Sequence, residues 1–161
     1  MATVAGTLLA AIGTKLGTTL GNTYVVRYGA PDDSGVYTEN ANVCTVRYTY
    51  EDSAIQGNQI GSPEVVTPRI MVSVRRPFTG DSTALSVHQS LLDLASDVRL
   101  AIAQMIMAHC DGTSIISGVS RATWITGSST TPATLDIGSG ASSESVTIEF
   151  QFRTTRNYGE R

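Results

Sequence analysis

The sequence predicts an α+β fold: a mainly antiparallel sheet with an N-terminal helix and one long central helix packed on one face. Three observations predict it. Apolar residues recur at i, i+4 near the start of the chain, several later segments alternate with period two, and a long helical stripe separates those segments into two groups. Runs of strands without regular βαβ alternation place helices on one side of an antiparallel sheet.

The first helix covers residues 3–20, where Val4, Leu8, Ile12, Leu16 and Leu20 form one stripe. Thr3 is its candidate N-cap, and Gly21-Asn22 its stop. Gly13, Gly17 and Gly21 recur every four residues, which predicts close packing against a sheet or a neighbour. They also weaken the helix intrinsically, so it depends on tertiary contacts.

A tyrosine-rich hairpin is expected next. Tyr24, Val26 and Tyr28 share one face, and after the turn-rich stretch Gly29–Asn42 so do Cys44, Val46, Tyr48 and Tyr50. A loop holding Gly57, Gly61 and Pro63 leads to a third strand, with Ile70, Val72 and Val74 facing opposite to Arg69, Ser73 and Arg75. Pro77 and Gly80 close it, and Asp81 or Ser82 caps the long helix. Its stripe is Leu85, Leu91, Leu92, Ala95, Val98, Ile102, Met105 and Ile106, ending at Asp111-Gly112. At 1.5 Å per residue its roughly 28 residues span ~42 Å, enough to cover a whole sheet face.

Two strands close the chain. Arg121–Thr126 holds the only tryptophan, Trp124, and Val146, Ile148, Phe150 and Phe152 alternate cleanly with polar residues. Between them, residues 127–143 are rich in Gly, Ser and Thr and read as a flexible hairpin loop. With no internal repeat and no linker, residues 1–161 read as a single α+β domain.

Charged residues make up only 16% of the 161, below the usual quarter, and Ser and Thr outnumber them. Such a surface tolerates burial against other subunits. A net charge of −3 gives no general attraction to nucleic acid. Lys15 is the only lysine beside ten arginines, and arginine's rigid fork suits interface pairing. Residues 1–21 lack a basic start and Lys15 interrupts their short apolar run, so no secretory signal is read and synthesis in the cytoplasm is expected. No apolar run reaches the ~20 residues of a membrane span.

No constellation for chemistry emerges. The phosphate-binding pattern GxxxxGK[ST] and HExxH are absent. His88 and His109 lie too far apart on one helix to share a metal or a proton. Asp32, Asp33 and Glu39 miss the spacing of a calcium loop. Asp93 and Asp97 read as a solvated helix face, and Cys110 follows His109 directly, so the two side chains diverge. No catalytic residue, metal ligand or cofactor site is therefore expected, and the chain reads as non-enzymatic. Arg69, Arg75, Arg76, Arg153 and Arg156 cluster around two strands and form the candidate subunit interface.

A helix opening the chain is followed by "PRIMVSV" (Pro68–Val74), "LSVHQSLLDLASDVRLAIAQM" (Leu85–Met105) and "SVTIEFQFRTT" (Ser145–Thr155). This arrangement resembles the tail terminator and tail-completion proteins of long-tailed bacteriophages; segment 127–143 departs from it. The resemblance implies a virion protein assembled in the host cytoplasm, forming a homo-oligomeric ring of six subunits. Its partners would be the tail tube and neck or connector proteins, with DNA passing through the lumen without sequence-specific binding. A neck connector, another tail completion protein, a small coat protein and a small-ligand or peptide binding module are the alternatives.

Overall fold

The computed structural model describes residues 3–29, 42–55, 62–78, 85–136 and 142–156. Helix α1 (Val4–Leu20) begins where Thr3, in extended backbone, accepts a 3.0 Å hydrogen bond from the Gly6 N–H on its Oγ1. That side chain satisfies one of the donors a helix start leaves orphaned. Val4, Leu8, Ile12 and Leu16 are buried, and Gly21 ends the helix at φ +69°. The expected close packing of the glycines holds at Gly13 and not at Gly21, where a Cβ would have nothing within 4 Å. A Cβ at Gly13 would overlap the phenol of Tyr28, and one at Gly17 would touch Val26.

Among the described residues five strands follow: β1 (Tyr24–Tyr28), β2 (Asn42–Ile55), β3 (Glu64–Phe78), β4 (Trp124–Asp136) and β5 (Ser142–Arg156), with helix α2 (Leu85–Asp111) between β3 and β4. Their order across the sheet is β1-β2-β3-β5-β4. Every pairing is antiparallel except β1 with β2, which is parallel. The expected tyrosine-rich hairpin is therefore not one. Residues 29–41 are long enough for the crossover of about a dozen residues that a parallel pair needs. Both helices lie on one face, α1 over β1 and β2 and α2 over β4 and β5, and they touch each other. The fold is α+β.

Three strand-level expectations change. The row Cys44, Val46, Tyr48, Tyr50 does not stay on one face, because the register shifts between Tyr48 and Tyr50. Thr49 is the extra residue, and beyond it Tyr50 pairs with Arg69 on the other side. The expected loop at 127–143 is mostly strand. Residues 127–136 belong to β4 and 142–143 to β5, leaving 137–141 outside the described residues. Threonine's branched side chain suits a strand, and Pro132 is tolerated because β4 is an edge. Third, the strands are long: β3 and β5 have 15 residues each, reaching beyond the apolar alternation that marked them.

In α2, Leu91, Ala95, Val98, Ile102 and Ile106 are buried, whereas Leu85 and Leu92 are 71% and 51% exposed. Leu91 and Leu92 stand about 100° apart around a helix, so both cannot face the sheet. The expected cap at Asp81 or Ser82 lies outside the described residues. The core joins these side chains to Val46, Ile70, Val72, Val74, Val146, Ile148, Phe150 and Phe152.

His109 is fully buried and has a structural task. Its Nδ1 accepts a 3.0 Å hydrogen bond from the Ile116 N–H, which fixes the proton on Nε2, and Nε2–H donates to the Ser120 carbonyl at 2.9 Å. A backbone N–H only donates, so this tautomer follows from geometry. The imidazole thus ties the segment after α2 back onto the helix, a more specific task than the dipole contact a helix-end histidine implies. Next to it, Cys110 Sγ–H donates to the Thr123 carbonyl at 2.9 Å. Cys44 sits in β2, three strand spacings (about 14 Å) from β4, so the two thiols are not partners.

Candidate functional site

Successive residues of a strand point to opposite faces, so the register assigns each side chain of β3 and β5. On the helix-covered face of β3 the sequence runs Glu64, Val66, Pro68, Ile70, Val72, Val74, Arg76; opposite, on β5, stand Arg156, Thr154, Phe152, Phe150, Ile148, Val146 and Glu144. The apolar ladder is closed at each end by an ion pair. At one end Arg76 Nε donates to Glu144, whose side chain is almost fully buried. At the other, Arg156 donates to Glu64 at 2.7 Å and to Glu51 of β2 at 3.0 Å. The hydrogen bond from Arg156 holds the Glu64 carboxyl below its ordinary range. Burial pushes the Tyr24 phenol up, partly offset by nearby Arg76, and pushes the Cys44 thiol up to about 12.

Among the described residues no helix lies on the other face, although Val43, Thr45, Ser143 and Ser145 on it are buried. Across its middle run Thr45 and Arg47 of β2, Arg69, Met71, Ser73 and Arg75 of β3, Ser145, Thr147, Glu149 and Gln151 of β5, and Ser129 and Thr131 of β4. Arg69 Nη1 donates to Glu149 at 3.3 Å, and Ser73 and Thr147 share a 3.2 Å hydrogen bond. The Arg47 guanidinium meets the Met71 sulfur at 3.1 Å, a weak acceptor. Thr45, Arg47, Met71, Ser73 and Thr147 line a shallow hollow of about 90 Å³.

Two aromatics on this face carry arginines. Arg69 stacks 4.5 Å from the Tyr50 ring centre and Arg153 5.4 Å from that of Trp124, each within cation–π range. Tyr50 and Trp124 remain 43% and 44% exposed. The five arginines singled out in the sequence are thus divided. Arg69, Arg75 and Arg153 lie on the open face, Arg69 paired there with Glu149, while Arg76 and Arg156 lie on the helix side, paired with Glu144 and with Glu51 and Glu64. Sequence reasoning missed the partners Glu51, Glu64, Glu144 and Glu149 and the aromatic platforms. The register supplies the signal: Arg76–Glu144 and Glu64–Arg156 are direct cross-strand pairs, and Arg69–Glu149 is a diagonal one.

A larger cleft of about 380 Å³ opens at the start of α1, lined by Thr3, Val4, Ala5, Gly6, Leu9, Tyr48, Glu51 and Arg156. Among its described lining residues the one carboxylate, Glu51, is held by Arg156. His88, Asp93 and Asp97 are exposed on α2. Among the described residues, no group of three or more His, Cys, Asp or Glu side chains is placed to hold a metal ion. No described helix is long and apolar enough to cross a membrane.

No family model and no curated protein matches the chain. Among solved structures, a chain of "Virion of native gene transfer agent (GTA) particle" is similar over 96% of this chain and 97% of its own, with 16% identity and a TM-score of 0.42.

Proposed function

We propose that this chain is a non-enzymatic structural subunit of a phage-type virion, a ring-forming tail terminator that caps the tail tube and joins it to the neck. The observation that carries the reading is the sheet face on which no described helix lies. Antiparallel sheets often leave one face to water. This one differs in its arginines, Arg47, Arg69, Arg75 and Arg153, of which Arg69 pairs with Glu149, and in offering hydroxyls between arginine-stacked aromatics. Tyr, Trp and Arg are the residue types that dominate protein contacts. The sequence resemblance described above and the low overall charge point the same way.

In this reading the copies close a head-to-tail ring of about six, with α1 and α2 outward and the open sheet face toward the passage. In this reading DNA passes without sequence-specific binding, because Arg47, Arg69, Arg75 and Arg153 on this face meet phosphates and read no base. Arg69, Arg75 and Arg153 contact the neighbouring subunit or tube ring, while Arg76 and Arg156 hold the sheet ends. The chain folds as one domain and acts in the virion after assembly in the host cytoplasm.

A second reading, a small coat protein, draws on β4. This edge strand holds no charged residue from Trp124 to Leu135, and uncharged edges invite strand pairing with other chains. Light scattering over a concentration series, with and without tail-tube protein, separates the two. A discrete species near about six subunits supports the terminator. Large closed shells favour the coat protein, and a monomer indifferent to concentration and to tube protein rejects both.

A further inference from the structure

Helix α2 carries a second apolar stripe, on the side away from the sheet. Leu85, Leu92, Leu100 and Met107 are 71%, 51%, 57% and 68% exposed. At 100° per residue these four fall within one sector of about 80°, with Gln89, Ser96 and Ala103 filling the turns between. The stripe therefore runs straight along the helix for about 33 Å, from Leu85 to Met107. Four large apolar side chains in one row differ from the scattered exposed leucines of an ordinary surface.

Its two flanks carry opposite charge. The same helical wheel places Asp93, Asp97 and Asp111 on one side of the stripe and Arg99 on the other, all of them exposed. Two helices that meet through such a stripe have two symmetric arrangements. Antiparallel pairing sets the acidic flank of one copy against the acidic flank of the other. Parallel pairing, about an axis running along the helices, sets each acidic flank against the partner's basic one. It brings Asp97 within about 3 Å, measured along the axis, of the level of the opposing Arg99.

We propose that this face of α2 docks on α2 of a second copy of the chain, side by side and parallel. The apolar stripe supplies the contact, and the flanking charges select the orientation. An interface confined to one helix face lies at the small end of specific contacts, below about 1,200 Å² in total. The pair therefore forms and dissociates with concentration. The proposal does not rest on the ring reading, since the contact uses the face opposite to the open sheet.

Full-length protein with Cys110→Ser, oxidised under mild conditions, tests it. In that background Ala103→Cys gives a disulfide-linked dimer if the helices are parallel. If they are antiparallel about the Ser96 midpoint, it links only to a chain carrying Gln89→Cys. Sedimentation in parallel follows Leu100→Arg, expected to weaken self-association by about 100-fold or more. Asp97→Arg weakens it too, and adding Arg99→Asp restores it, a recovery that misfolding would not produce. Crosslinking through 89 and 103 alone overturns the parallel arrangement. Self-association unchanged by Leu100→Arg overturns the docking itself. A ring that assembles without the 103–103 link keeps the terminator reading and rejects this pairing, and a linked pair without any ring does the reverse.

Discussion

The two faces of the sheet are built from the same strands and solve different problems. Under the helices, charge on the β3–β5 ladder is confined to its ends, as Arg76–Glu144 and Arg156–Glu64, and everything between except Thr154 is apolar. On the open face charge sits in the middle, as Arg69–Glu149, surrounded by hydroxyls. One face holds the fold through buried apolar area, while the other carries polar side chains, some buried, such as Thr45 and Ser145, and others partly exposed. The same change in side-chain size should therefore cost very different amounts on the two faces.

Phe150→Ala should give the largest loss, about 3–5 kcal/mol, because it empties volume at the centre of the covered face. Chemical denaturation would show this as a lower midpoint with an unchanged slope. His109→Ala follows at about 2–4 kcal/mol, since the Ile116 N–H and the Ser120 carbonyl would each lose a buried partner. Hydrogen exchange should then rise at Ile116 before the strands respond.

Acid acts on the covered face through Glu64. Its folded carboxyl titrates below the ordinary range, so the stabilisation is present above that range and is lost as the pH falls through the folded value. Melting temperature followed downward from about pH 5 should decline less steeply for Glu64→Gln than for the parent. On the open face, Ser73→Ala should cost less than about 1 kcal/mol, because only the shared hydroxyl contact with Thr147 is lost. A cost above about 2 kcal/mol there would show that the open face also carries the fold.

Much of this contrast is legible in the sequence. The alternation of Ile70, Val72 and Val74, and of Val146 through Phe152, marks the covered face directly, and i, i+4 spacing marks α1. Strand order is not legible, because β1 and β2 alternate in the same way whether they pair parallel or antiparallel. Thr49 as a bulge is equally hidden, since one extra residue leaves no compositional trace, and it moves Tyr50 beside Arg69. Residues 127–136 misled for a physical reason. Gly, Ser, Thr and Pro favour loops in isolation, but an edge strand tolerates them when its neighbour β5 is strongly apolar. The arginines looked like one cluster because the sequence gives their neighbourhood but not their face. Only the register separates Arg76 and Arg156 from Arg69, Arg75 and Arg153.

The most direct test of the central claim, that the open face is the working face, is electron cryomicroscopy of the species formed with tail-tube protein. The account predicts a closed ring with the open faces of β3 and β5 turned to the central passage and α1 and α2 outside. A ring with its helices lining the passage, or no ring in the presence of tube protein, would contradict it.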